Sequence, residues 1–135
     1  MLQSKRSGCD LERTGARPLA VQVESWVVTH LDRVAAAAGT GALEVAARPL
    51  RLEHGRTRLP LALRHDHGSL LVEIRPGTAG RATLARVEHA LACADDAPER
   101  VALLLAEDAS PELLDALRGR TDVRFQRLAD LLAGT

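Results

Sequence analysis

The sequence predicts an α/β domain with a mixed central sheet flanked by helices. Three observations carry that reading. Apolar residues recur at spacings of three and four in some segments and alternate with period two in others. "RVALLLA", Arg100 to Ala106, is a short continuous apolar run, as expected of a strand buried on both faces. Helical and extended segments are interleaved along the chain, which favours one layered α/β core over separate all-α and all-β units.

Met1 to about Ala20 is polar, of mixed charge and broken by Gly8, Gly15 and Pro18. It predicts a flexible arm before a single domain over residues 21–135. From Val21 to Ala38 the pattern is helical, with Val23, Trp26, Val27, His30, Leu31 and Val34 on one stripe and Gly39 and Gly41 as the stop. Leu43 to Ala47, continuing through Leu50 and Leu52 across Pro49, reads as a first strand. Thr57 to Arg64 alternates Leu59, Leu61 and Leu63 and reads as a second. Pro60 has no amide to give a ladder, so that strand is an edge or carries a break. "HDHG" supplies a hairpin turn into Ser69 to Arg75, a largely buried third strand.

Thr78 to Ala94 reads as a helix with Leu84, Val87, Leu91 and Ala94 on one face. It should cross over to Arg100–Ala106 in parallel with Ser69–Arg75. Ser110-Pro111-Glu112 is an N-cap, a proline at N1 and an acid in the first turn, and that helix should stop at Gly119. Asp122 to Gln126 is then a short strand and Arg127 to Ala133 a final helical turn or two. The predicted order is α-β-β-β-α-β-α-β-α.

A chain of 135 residues is enough for one core. Trp26 and Phe125 are its only aromatics, so that core must be built from Leu, Val and Ala. The 18 basic and 18 acidic side chains cancel, which removes the simplest argument for nucleic-acid binding. Nearly all the basic residues are Arg, as in a GC-rich bacterial genome, and Lys5 is the sole lysine. Cys9 and Cys93 fit no CxxC or zinc pattern, and no apolar run approaches a membrane span. A cytoplasmic location, with no membrane association, is the expectation.

The segment "LLVEIRPGTAGRATLARVEHAL", Leu70 to Leu91, concentrates the candidate chemistry. Gly77 to Thr83, "GTAGRAT", suggests a nucleotide- or anion-binding loop. It lacks the lysine and the spacing with which a P-loop reaches phosphates and magnesium. "RHDHG" suggests zinc through His65, His67 and Asp66 or His54, but polar residues before a glycine are also what a hairpin tip requires. His30 and His89 read as satisfied helix residues.

The arginines Arg48, Arg51, Arg56, Arg58 and Arg64 precede Glu73, whereas the acids gather in the second half of the chain. That asymmetry suits contact with phosphates or with another protein. With no aromatic platforms, stacking on single-stranded bases is disfavoured.

The α-β-β-β-α-β order, the hairpin and "LLVEIR" together resemble the restriction-endonuclease-like, PD-(D/E)xK superfamily. From about Glu24 to Leu132 the chain is similar to its small members, such as junction resolvases and the nuclease domains of mismatch endonucleases. The resemblance implies a site in which an Asp and a Glu on adjacent strands hold a divalent metal that activates water, with a Lys two residues beyond the Glu. Glu73 stands where that Glu would, and Glu24 falls in the first helix. Arg75 replaces the lysine, and the aspartate falls at Pro60, which has no carboxylate. Arg86 is nearest to the glutamine often found on the following helix.

The implied catalytic remnants are therefore Glu73, Arg75 and Glu24; no metal is expected, and a nuclease metal, if bound, would fall to Glu73 and Glu53. Arg56, Arg58, Arg64, Arg75 and Arg81 are the candidates for an anion or nucleic-acid backbone. The expectation is a nuclease-like domain with a degenerate site, not an enzyme and without a cofactor. It would act as a binding or assembly module for a protein partner, for itself or for nucleic acid. The alternatives are an active magnesium-dependent nuclease centred on Glu73 and an anion-binding domain using Gly77–Thr83.

Overall fold

The computed structural model describes residues 19–52, 57–93 and 99–133. The predicted flexible arm lies outside the described residues, except for Leu19 and Ala20. The elements are α1 (Ala20–Thr29), α2 (Leu31–Ala38), β1 (Glu44–Ala47), β2 (Leu50–Leu52), β3 (Thr57–Leu59), β4 (Leu61–His65), β5 (Gly68–Ala79), α3 (Arg81–Cys93), β6 (Arg100–Ala109), α4 (Pro111–Leu117), β7 (Val123–Arg127) and α5 (Leu128–Ala133).

Five strands form a mixed sheet in the order β1-β4-β5-β6-β7, and β2 and β3 form a separate two-stranded ribbon. β4 is antiparallel to β1 and β5. β5, β6 and β7 are parallel, joined by the crossovers α3 and α4. The expected pairing of Ser69–Arg75 with Arg100–Ala106 is present, Ser69 facing Arg100 and Arg75 facing Ala106.

Alternation along β5 and β6 divides the core in two. Leu70, Val72 and Ile74 of β5, with Leu103 and Leu105 of β6, pack against Val23, Trp26 and Val27 of α1, Val34 of α2 and Leu131 of α5. Leu71 of β5, with Ala102, Leu104 and Ala106 of β6, packs against Leu84, Val87 and Ala90 of α3 and Leu113 of α4. The second face is built largely of small residues, which lets α3 lie close to the sheet. The ribbon closes this side, with Leu50 and Leu52 packed on it and Leu59 fully buried.

The structure corrects the sequence reading in four places. The helix over Val21–Ala38 is two helices, broken at His30 (φ −131°, ψ 47°). Val27, Val28 and Thr29 are β-branched, and Thr29 Oγ1 bonds back to the carbonyls of Ser25 and Trp26, which weakens the helix before the break. His30 is satisfied there: its ring stacks on Trp26 at 4.3 Å and its Nδ1 lies 2.8 Å from the Trp26 carbonyl. The strand expected from Leu43 to Leu52 is likewise two, β1 in the main sheet and β2 in the ribbon, with a turn at Arg48–Pro49.

Thr57–Arg64 breaks at Pro60, as its missing amide demands, and β4 runs on to His65. The remaining two corrections concern extent. β5 continues through Pro76 and Gly77 to Ala79, so Thr78 is in a strand and the helix begins at Arg81. β6 extends to Ala109, three residues beyond the expected end, and pairs Ala79 with Ala109. The α4 start is as read: Ser110 Oγ accepts the Leu113 amide at 3.1 Å, with Pro111 at N1.

Candidate functional site

Glu73 stands near the middle of β5, on the face that carries Leu71 and looks towards α3. It is the only buried acid among the described residues. Beside it on β6 is Leu104. The β4–β5 register, Leu61 opposite Val72, carried one step further sets Pro60 opposite Glu73. Neither neighbour offers a carboxylate.

Two groups hold the Glu73 side chain. Oε2 lies 3.1 Å from Arg86 Nε, and Oε1 accepts the Ile74 amide at 2.9 Å. Arg86 reaches Glu73 from α3, and its Nη2 donates to the Arg58 carbonyl at 2.6 Å. One guanidinium thus ties a buried carboxylate to the covering ribbon. Burial pushes the Glu73 carboxyl above its ordinary range; Arg86, then the Ile74 amide and Arg75, work against that shift without overcoming it.

Arg75 shares the Glu73 face but is exposed, and the partner of Glu73 is Arg86 rather than Arg75. The reason lies in the helix: Arg86, one turn and a half into α3, projects at the strand that carries Glu73. Sequence reasoning named Arg86 only in passing. The signal that could have found it is a long cation on a helix whose neighbouring stripe, Leu84 and Val87, is buried against the strand bearing Glu73.

The other candidates are dispersed. Glu24, on α1, is ion-paired with Arg48, and α1 packs on the opposite face of the sheet from Glu73. Arg64 is paired with Glu44 across β1 and β4 at 3.0 Å. Glu53, Arg56 and His54 lie outside the described residues. No three His, Cys, Asp or Glu side chains among the described residues are grouped to hold a metal ion. The anion loop expected at Gly77–Thr83 is not a loop, because Gly77, Thr78 and Ala79 are strand and only Gly80 separates them from α3.

Cations do gather on this side. Arg51 and Arg58 are directly opposite each other in the ribbon, and both are exposed, their neighbours Leu50, Leu52 and Leu59 pointing inward. A like-charge cross-strand pair costs stability. Neither these two nor Arg75 and Arg81 make an ion pair among the described residues. Between ribbon and helix runs an open groove of about 420 Å³, lined by Thr57, Arg58, Ala85, Arg86 and His89.

The sheet, its two parallel crossovers and the helices on both faces define a mixed α/β fold. The particular likeness is to the crystal structure of a repair endonuclease from Pyrococcus abyssi, with a TM-score of 0.66 over 84% of this chain. The two sequences are 10% identical, and the chain spans about half, 48%, of that protein. No family model matches the chain. No curated protein matches it. No described helix is long and apolar enough to cross a membrane.

Proposed function

We propose that this chain is a nuclease-like domain that binds the phosphate backbone of nucleic acid without cleaving it. The observation that carries this reading is the state of Glu73. Its two oxygens are engaged by Arg86 and by a backbone amide, and among the described residues no second carboxylate stands beside it. Metal-assisted hydrolysis needs a cation held by converging oxygens, which then activates water. Here a guanidinium holds the one carboxylate available. An arginine cannot leave by deprotonating.

Backbone binding is supported by arginines on the same side of the sheet that make no ion pair among the described residues. Arg51 and Arg58 face outward from the ribbon, with Arg75 and Arg81 on the adjoining strand end and helix start. Guanidinium forks match phosphate oxygens and read no sequence. Nucleic acid would relieve the Arg51–Arg58 repulsion.

The test is fluorescence anisotropy with a labelled DNA duplex. Wild type should bind with an affinity that falls steeply between about 50 and 200 mM salt. Replacing both Arg51 and Arg58 by Gln should weaken binding and reduce the log–log salt slope by about 2. Absence of binding at low salt, or an unchanged slope in the double variant, would refute this reading.

A further inference from the structure

A second cleft lies at the opposite, N-terminal end of the parallel strands. It holds about 430 Å³, within the size range of small-molecule sites, and draws residues from four separate segments. The β4–β5 hairpin contributes His65 and His67, the start of β6 contributes Arg100, and β7 contributes Arg124. Gly39–Gly41, after α2, forms one wall. Arg100 is four residues before Leu104, the neighbour of Glu73, or roughly 13 Å along the strand. This cleft is therefore separate from the Glu73 site and from the ribbon arginines.

The cleft is held in shape by backbone contacts. Gly68, just after His67, lets the hairpin press against the chain entering β6. A Cβ there would lie 1.9 Å from the Glu99 carbonyl oxygen, which accepts the Ser69 amide at 2.8 Å. The Ala102 amide donates to the Asp122 carbonyl at 2.8 Å, fixing the start of β7 beside β6. Arg124 lies along the Gly39 cap of α2, at a helix end whose dipole favours a cation; a Cβ on Gly39 would be 3.5 Å from its Nη1. Within the hairpin, the His67 amide donates to His65 Nδ1 at 3.2 Å, which leaves the His65 Nε2 as the protonated nitrogen.

The lining carries two arginines, Arg100 and Arg124, and two acids, Asp122 and Glu99. Asp122 lines the cleft but is bound by Arg120 through two contacts of 2.9 and 2.8 Å. Glu99 is an exposed acid among the lining residues. Arg100 and Arg124 make no ion pair among the described residues. Two guanidinium forks, an imidazole N–H and the Thr121 hydroxyl give a wall rich in donors.

We propose that this cleft binds a phosphate monoester, with Arg100 and Arg124 as the forks on its terminal oxygens and the His65 N–H as a third donor. Two arginines match the charge of a dianion, and three terminal oxygens supply more acceptors than a carboxylate can. The space exceeds that of a bare phosphate, so the esterified group has room in the cleft. Neither Trp26 nor Phe125 lines it, so the ester need not carry a base. Such a group occurs on small phosphate esters and at the terminus of a nucleic-acid strand, and the experiment distinguishes the two.

The full chain is titrated with inorganic phosphate, with glycerol 3-phosphate and with a short single strand carrying either a 5′-phosphate or a 5′-hydroxyl, followed by amide chemical shifts. Saturable shifts at Gly39–Gly41, His65–Gly68 and Arg100 are expected with phosphate. Affinity should fall at least tenfold in Arg100→Gln and in Arg124→Gln, while Arg118→Gln, exposed and outside the cleft, leaves it unchanged. Tighter binding of glycerol 3-phosphate names a small ester as the ligand; tighter binding of the 5′-phosphorylated strand over its 5′-hydroxyl twin names a strand end. Shifts confined to the ribbon, no saturable binding by any phosphate probe, or full affinity in both arginine variants of native amide spectrum would overturn the proposal. A failed ribbon-binding test leaves this result unaffected, because the two sites share no residue.

Discussion

Arg86 and Arg100 stand at two stations along the same pair of parallel strands, and the fold uses them in opposite ways. Arg86 reaches inward to a buried carboxylate and a ribbon carbonyl, so its charge is spent within the protein. Arg100, with Arg124, opens on a cleft whose nearest fully bound acid already belongs to Arg120. The difference teaches where to look for function in a chain of zero net charge. An arginine that completes a buried pair reports on how the fold is held. An arginine that makes no ion pair in a shaped cleft, among the described residues, reports on what the protein binds. Counting charges along the sequence cannot separate the two.

The largest effect should come from closing the second cleft. Gly68→Ala sets a Cβ against the Glu99 carbonyl at a distance no packed atoms tolerate. It should cost about 3 kcal/mol in denaturant unfolding, because backbone rather than a flexible side chain must move. A loss within 0.5 kcal/mol would show that the hairpin is not clamped, and with it the shape argued for that end.

Arginine truncations compare the two stations directly. Arg86→Ala leaves Glu73 buried without its cation and should cost about 2 kcal/mol at neutral pH. The cost should shrink in acid, where Glu73 is protonated. Arg100→Ala and Arg124→Ala should each stay within about 0.5 kcal/mol of wild type. Equal losses at all three positions would erase the distinction.

Arg120 sharpens the comparison, since it stabilises without being buried among apolar groups. It pairs with Glu88 on α3 and with Asp122, and those hydrogen bonds hold the Asp122 carboxyl below its usual range. A lowered carboxylate stabilises above its unfolded pKa and loses that contribution as pH falls through its folded value. Arg120→Ala should therefore cost about 1 kcal/mol at neutral pH, after allowance for solvent screening, and less in acid.

Glu73 has the opposite sign. Its raised carboxyl gives stability that is full below the ordinary carboxylate range and is lost as pH rises through the folded value. Glu73→Gln should remove that decline, so the variant gains on wild type between acid and neutral pH. Parallel pH–stability curves would contradict it.

Much of the fold was legible because its signals are local. The Ser110 cap, the Arg100–Ala106 run and the break at Pro60 are each written within a few residues, and each is found. The extent of β5 was not legible. Pro76 and Gly77 read as a stop, yet the chain stays extended to pair Ala79 with Ala109, a partner 30 positions away. The site was legible in half. Glu73 was found by its place in a strand, whereas Arg86 depends on the angle at which α3 crosses the sheet. The second cleft was written nowhere in sequence, since its walls come from four segments; His65 and His67 were noticed for zinc, without the arginines that surround them.

The central claim is that a nuclease-like fold here carries a site closed by its own arginine. The most direct measurement is cleavage by the purified chain of branched, mismatched, single-stranded and plain duplex substrates in magnesium and in manganese. The account predicts no metal-dependent product, because a site lacking a metal carboxylate forfeits several kcal/mol of charge stabilisation, a few hundredfold or more in rate. Metal-dependent cleavage that disappears in Glu73→Ala would contradict it.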